Sequence, residues 1–140
     1  MSIQIEILLV EDDDISAQAA CTLLERLGCK VDHVCNGAEA IDLFGKKSYD
    51  LVLMDWQMPQ MDGLETTARI RRMPQGRVTP IVGTSASMSR LQCVAAGMND
   101  VMPKPFLLNT LKMGLAKWTL WNDDRTGACG GLSCEDRLGF

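Results

Sequence analysis

The chain contains no run of apolar residues near the ~20 that a membrane-spanning helix needs, and no basic segment followed by an apolar stretch at its start. The first absence argues against direct membrane contact and the second against a secretory leader. The expectation is therefore a soluble cytoplasmic protein. Basic residues are not in excess: 14 Lys and Arg stand against 18 Asp and Glu, a net charge of −4 with both signs scattered along the chain. No basic stripe of the kind that tracks a nucleic-acid backbone is visible, which sets nucleic acid aside as a partner. Histidine is nearly missing, and the single His33 and six cysteines match no zinc-ligand spacing. Cys21, Cys29, Cys35 and Cys93 fall singly in segments that read as helix or strand, and are taken as small buried or half-buried residues in a reducing compartment. Cys129 and Cys134 lie in a Gly-rich polar tail, 121–140, for which no fixed structure is expected.

Apolar residues are plentiful. They make up 46% of 140 residues, enough for one domain, placed at 1–120, to bury a core without disulfides or a structural metal. Ile5 to Val10 is an apolar run that reads as a buried parallel strand, followed by the acidic stretch Glu11 to Asp14. A helix is expected from Ile15 to Leu27, closed by Gly28, with Ala19, Leu23 and Leu27 toward the sheet and Asp13 or Asp14 as its cap. Val31 to Val34 reads as a second strand, and Asn36 can cap a helix over Ala38 to Phe44. Leu51 to Met54 is a third strand ending on Asp55. A loop with Pro59 and Asp62-Gly63 precedes a helix over Leu64 to Arg72, with Leu64, Thr67, Ala68 and Arg71 on one side. Ile81 to Thr84, Ser89 to Ala96 and Val101-Met102 read as strand, helix and strand. Pro105 opens a last helix with a stripe of Leu108, Leu111, Leu115 and Trp118.

Five alternations of strand and helix predict a parallel sheet with helices on both faces. In such folds the ligand site lies beyond the carboxyl ends of the strands. Those ends carry Glu11-Asp12-Asp13, Asp55, Thr84-Ser85 and, near the fifth strand, Lys104. Carboxylates crowded on one edge repel each other unless a hard cation neutralises them. A metal held by Asp12 and Asp55, with Glu11 beside them, would draw in a phosphoryl oxygen. Asp55 could then act as the nucleophile, with Lys104 and a hydroxyl stabilising the transferring charge. Each residue alone has a plainer role: a helix cap for the aspartates, turn chemistry for the serine, a solvated surface lysine.

Four stretches resemble the receiver domains of two-component response regulators and hybrid histidine kinases: ILLVEDDDIS (7–16), LVLMDWQMPQMDGLE (51–65), PIVGTSAS (80–87) and AGMNDVMPKPF (96–106). The resemblance runs from about Ile5 to Trp118. It implies a flavodoxin-like sheet of order 2-1-3-4-5, with Asp55 as phosphoacceptor, Ser85 and Lys104 as its assistants, and Mg²⁺ or Mn²⁺ as cofactor. The metal would be held by Asp12, Asp55 and the backbone carbonyl of Gln57, with Glu11 nearby or acting through water. It further implies a cis Lys104–Pro105 bond, and control of water access by Gln57 and Ser87, with Trp56 bulky beside the site. Val101 stands where the family often carries Tyr or Phe, and Pro103 directly precedes the lysine, so readout is expected to differ. The implied partners are a histidine kinase or a histidine phosphotransfer domain, with a homodimer as a further option. Ile15 to Leu24 contains no charged residue, and an uncharged outer face with Ile15, Gln18 and Thr22 would suit a histidine-bearing helical domain. The chain is expected to be either free-standing or the receiver module of a hybrid kinase. A phosphatase with an aspartate nucleophile is discounted because Gln57 stands where its second Asp would be. A degenerate, non-phosphorylated binding module is the remaining alternative.

Overall fold

In the computed structural model, which describes residues 4–56, 58, 62–85 and 89–121, the apolar runs form five parallel strands. They are β1 (Glu6–Val10), β2 (Lys30–Val34), β3 (Leu51–Asp55), β4 (Ile81–Ser85) and β5 (Asp100–Pro103). The sheet order is β2-β1-β3-β4-β5. The helices are α1 (Asp14–Arg26), α2 (Gly37–Lys46), α3 (Gly63–Arg71), α4 (Arg90–Ala95) and α5 (Leu108–Trp118), with a short 3-10 turn at Gln75–Arg77. β1 and β3 are central and buried on both faces, which is why they read as unbroken apolar runs rather than alternating ones.

The period of two in each strand divides the core. Ile7, Leu9, Leu51, Leu53 and Val82 face α1 and α5, while Leu8, Val10, Val52, Met54 and Ile81 face α2, α3 and α4. Each fully buried Leu or Ile contributes about 1.5–3 kcal/mol. Asp13 caps α1 by accepting the Ser16 N–H at 2.8 Å, and Asn36 caps α2 by accepting the Glu39 N–H at 2.9 Å, as their sequence positions suggest.

Three helices sit differently from the expectation. The buried face of α1 is Ala17, Ala20 and Leu24, continued by Leu27; Ala19 is exposed and Leu23 half-buried. A strict spacing of four drifts by about 40° per step around a helix of 3.6 residues per turn, so the core face alternates steps of three and four. In α3 the buried residues are Gly63, Thr66, Thr67 and Ile70, with Ala68 exposed. Gly63 is pressed against the backbone of Asp55, and that contact sets the rotation of the helix. The last helix starts at Leu108 rather than Pro105, because Phe106 is first drawn into the core. Leu111 and Leu115 are buried there and Leu108 is exposed.

Among the expected half-buried cysteines, Cys35 is exposed, since it lies in the turn between β2 and α2. Cys21, Cys29, Cys35 and Cys93 are all unbridged. Trp121 is buried, its indole N–H donating to the Leu27 carbonyl at 2.7 Å, so packing extends one residue past the expected boundary. Cys129, Cys134 and the rest of the tail lie outside the described residues. No described helix is long and apolar enough to cross a membrane.

Candidate functional site

The carboxyl ends of β1 and β3 are neighbours in the sheet, so Glu11, Asp12 and Asp55 arrive at one place. One carboxylate oxygen from each lies within 4.8 Å of the others. Glu11 is fully buried, Asp55 is only 5% exposed, and Asp12 is exposed at the mouth. Lys104 reaches in from the loop after β5. Its Nζ lies 2.5 Å from Glu11 Oε1 and 3.4 Å from Asp55 Oδ1. The Lys104–Pro105 bond is cis. The second oxygen of Glu11 accepts the Asp13 N–H at 3.1 Å, so the buried carboxylate has a partner on each side.

Burial and the negative charge of Glu11 push the Asp55 carboxyl up to about 7, with hydrogen bonds to Glu11 and Asp12 adding to the effect and Lys104 opposing it. Burial disfavours the charge on Lys104, but its hydrogen bond to Glu11 and the charges of Asp55 and Glu11 outweigh this and raise it above the ordinary lysine value. Near neutrality, then, the Asp55 carboxyl is still partly protonated. A donor set made only of carboxylate oxygens, with one proton to displace, fits a hard divalent ion.

Ser85 closes β4, one residue past the register partner of Asp55, Thr84. Its carbonyl accepts the Lys104 N–H at 3.4 Å, which ties the two strand ends together. Thr84 is fully buried, and its hydroxyl has no hydrogen-bond partner among the described residues. Trp56 is half-buried against the α2–α3 side of the core. Val101 is half-buried and lines a groove of about 550 Å³ between β5 and α5, away from the carboxylates. Gln57 and Ser87 lie outside the described residues.

Two contributors were not singled out for the site by sequence. A β-carbon at Gly63 would sit 2.2 Å from the Asp55 carbonyl oxygen, so only glycine lets α3 start this close to β3. The Gly63 N–H donates to the Trp56 carbonyl at 3.0 Å, and Asp62 caps the same helix by accepting the Glu65 N–H. The Asp62-Gly63 pair reads as a turn, and its closeness to Asp55 is a tertiary fact. Arg71 donates to the carbonyls of Gly97, Gly76 and Thr79 and to Asn99 Oδ1, all at 2.7–2.8 Å, fastening α3 to the segments on either side of β4.

Taken together, a buried aspartate flanked by an ammonium and two further carboxylates can bind a hard cation and present an oxygen nucleophile. The response regulator receiver domain model matches residues 7–115. The hybrid signal transduction protein dokA of Dictyostelium discoideum is 35% identical over 113 residues, covering 80% of this chain and 7% of that protein. The chain spans 6–16% of the length of the curated relatives it matches. The receiver domain of sensor histidine kinase PA1611 from Pseudomonas aeruginosa PAO1, solved with a magnesium ion coordinated in its active site cleft, superposes with a TM-score of 0.77 at 36% identity, covering 83% of this chain and 98% of that one. A co-crystal structure of the Saccharomyces cerevisiae histidine phosphotransfer protein Ypd1 with the receiver domain of Ssk1 matches with a TM-score of 0.76 at 26% identity, covering 83% of this chain and 89% of that one.

Proposed function

The chain belongs to the response regulator receiver domain family, and on that premise we propose that it accepts a phosphoryl group on Asp55 from a phosphohistidine donor. The observation that carries this reading is the burial of Asp55 between Glu11 and the Lys104 ammonium, 3.4 Å away. An Asp55 oxygen attacks phosphorus. The new O–P bond forms as the N–P bond to the donor imidazole breaks, and that bond's electron pair stays on the imidazole nitrogen. Lys104 pairs with a phosphoryl oxygen and Ser85 offers its hydroxyl to another. Asp12, Asp55 and the Gln57 carbonyl would hold Mg²⁺ or Mn²⁺, with Glu11 in support. When bound, the metal supplies positive charge to the transferring phosphoryl group. Gln57, Ser87 and Trp56 are assigned to control of water access, hence the lifetime of the acyl phosphate.

The donor is a histidine kinase or histidine phosphotransfer domain, docked on α1. Ile15 is 79% exposed there, and with Gln18, Ala19, Thr22 and Leu23 it lines a shallow uncharged depression. The receiver-bearing relatives named as hybrid kinases support a place as the receiver module of such a protein. Intact-mass spectrometry after incubation with acetyl phosphate and Mg²⁺ tests the reading. Wild type should gain one phosphoryl group and Asp55→Asn none; a fully labelled Asn variant would overturn the assignment.

A further inference from the structure

β1 runs out of sheet partners at the threshold of the acidic cluster. The Glu11 N–H donates to the Val34 carbonyl at 3.1 Å, the last rung that β2 supplies. The next rung of a parallel ladder would run from the Asn36 N–H to the Glu11 carbonyl. It is not formed among the described residues, because the chain has turned at Asn36 to start α2. The Cys35 N–H is no substitute, being held by Glu39 Oε1 at 2.9 Å. The fully buried Glu11 therefore depends on a side chain for its carbonyl.

His33 supplies it. Its Nε2 lies 2.8 Å from the Glu11 carbonyl oxygen. A carbonyl only accepts, so Nε2 carries the proton. Residue 11 is thereby tied at its N–H by β2, at its carbonyl by the imidazole, and at its side chain by Lys104 and the Asp13 N–H. The peptide plane whose oxygen the ring holds leads straight into Asp12. Asp12 is exposed, so its direction is set by that backbone rather than by packing.

We propose that His33 is a positioning residue for the metal site: its ring fixes the Glu11–Asp12 peptide and so aims the Asp12 carboxylate at Asp55. The inference rests on the reading of the acidic cluster as a Mg²⁺ site. It is distinct from that reading because the His33 ring is held on the Glu11 carbonyl and is given no part in binding the metal or the phosphoryl group.

The test is a Mg²⁺ titration of wild type, His33→Phe and His33→Gln, followed through the Trp56 indole N–H by NMR. Phe keeps the bulk and loses the donor, whereas Gln can still donate. Mg²⁺ affinity should fall by about tenfold in His33→Phe, the scale on which groups that orient a ligand act, and return most of the way in His33→Gln. Wild-type affinity in the Phe variant, or no recovery in the Gln variant, overturns the inference while leaving the metal reading in place. Absence of binding by the wild type overturns both. Should either variant fail to fold, the wild type decides. His33 is the sole histidine, so its ring gives one set of signals. An Nε2–H tautomer whose ring signals move with Mg²⁺ supports the proposal, and an Nδ1–H tautomer or unmoved signals reject it.

Discussion

Asp55 is pulled two ways. Burial and the charge of Glu11 favour its neutral form, Lys104 favours the anion, and the balance falls near pH 7. Under the proposed function only the anion would attack phosphorus, so the same burial that positions Asp55 also restrains it, and a bound cation would favour the anion. In metal-free protein, the carboxyl carbon of Asp55 should titrate near pH 7 by NMR, and Lys104→Met should move the midpoint upward by removing an opposing charge. A wild-type midpoint near 4 would show that burial and Glu11 together do not raise Asp55. At this scale the site was largely legible, since Glu11, Asp12, Asp55 and Lys104 are chemistry-bearing residues at strand ends and the structure brings them together. Gly63, His33 and Arg71 were not. What each does is a contact with backbone atoms distant in sequence, and no spacing reports that.

Elements translate these residues into surfaces. The start of α3 is docked on the carbonyl of Asp55 itself, with no room for a β-carbon. Gly63→Ala should cost about 2 kcal/mol or more, the scale of overpacking, and should slow acetyl phosphate labelling because the helix and the end of β3 must part. Urea unfolding and labelling rates measure both, and unchanged values would mean that the helix yields freely. The outer face of α1 is a separate matter, since it carries no site residue. Ile15→Glu should leave acetyl phosphate labelling intact while slowing transfer from a phosphorylated histidine domain by about tenfold, equivalent to ~1.4 kcal/mol of docking. Equal slowing with both donors would place Ile15 in the chemistry instead. The existence and order of these elements could be read from apolar runs and caps, but the rotation of α1 and α3 could not. Alternating steps of three and four, and a glycine contact, decide which face turns inward.

For the whole molecule, a parallel sheet with helices on both faces followed from the alternation of strand and helix, and its order followed from the family resemblance. The burial of Trp121 was less accessible, since α5 stops at Trp118 and the carbonyl that holds the Trp121 indole, that of Leu27, is far away in sequence. The acidic cluster also bears on global stability, and the sign can be worked out. An unfolded Asp55 releases its proton near its ordinary value of 3.8, whereas the folded one holds it to about 7. Between those values the folded chain binds the extra proton, so the stability linked to this group falls as pH rises from about 4 to about 7 and is level beyond. Mg²⁺ needs the anion, so its stabilising effect should be small at pH 5.5 and large at pH 8, reaching ~2.7 kcal/mol at a hundredfold excess over Kd. Asp55→Asn removes both effects at once. Metal-free at pH 8, it should be more stable than wild type, on the order of 2 kcal/mol, and Mg²⁺ should help it less. Thermal unfolding of both proteins at the two pH values, with and without Mg²⁺, gives the full comparison. A Mg²⁺ effect on wild type that is equal at pH 5.5 and pH 8 would mean that proton and metal do not compete for Asp55.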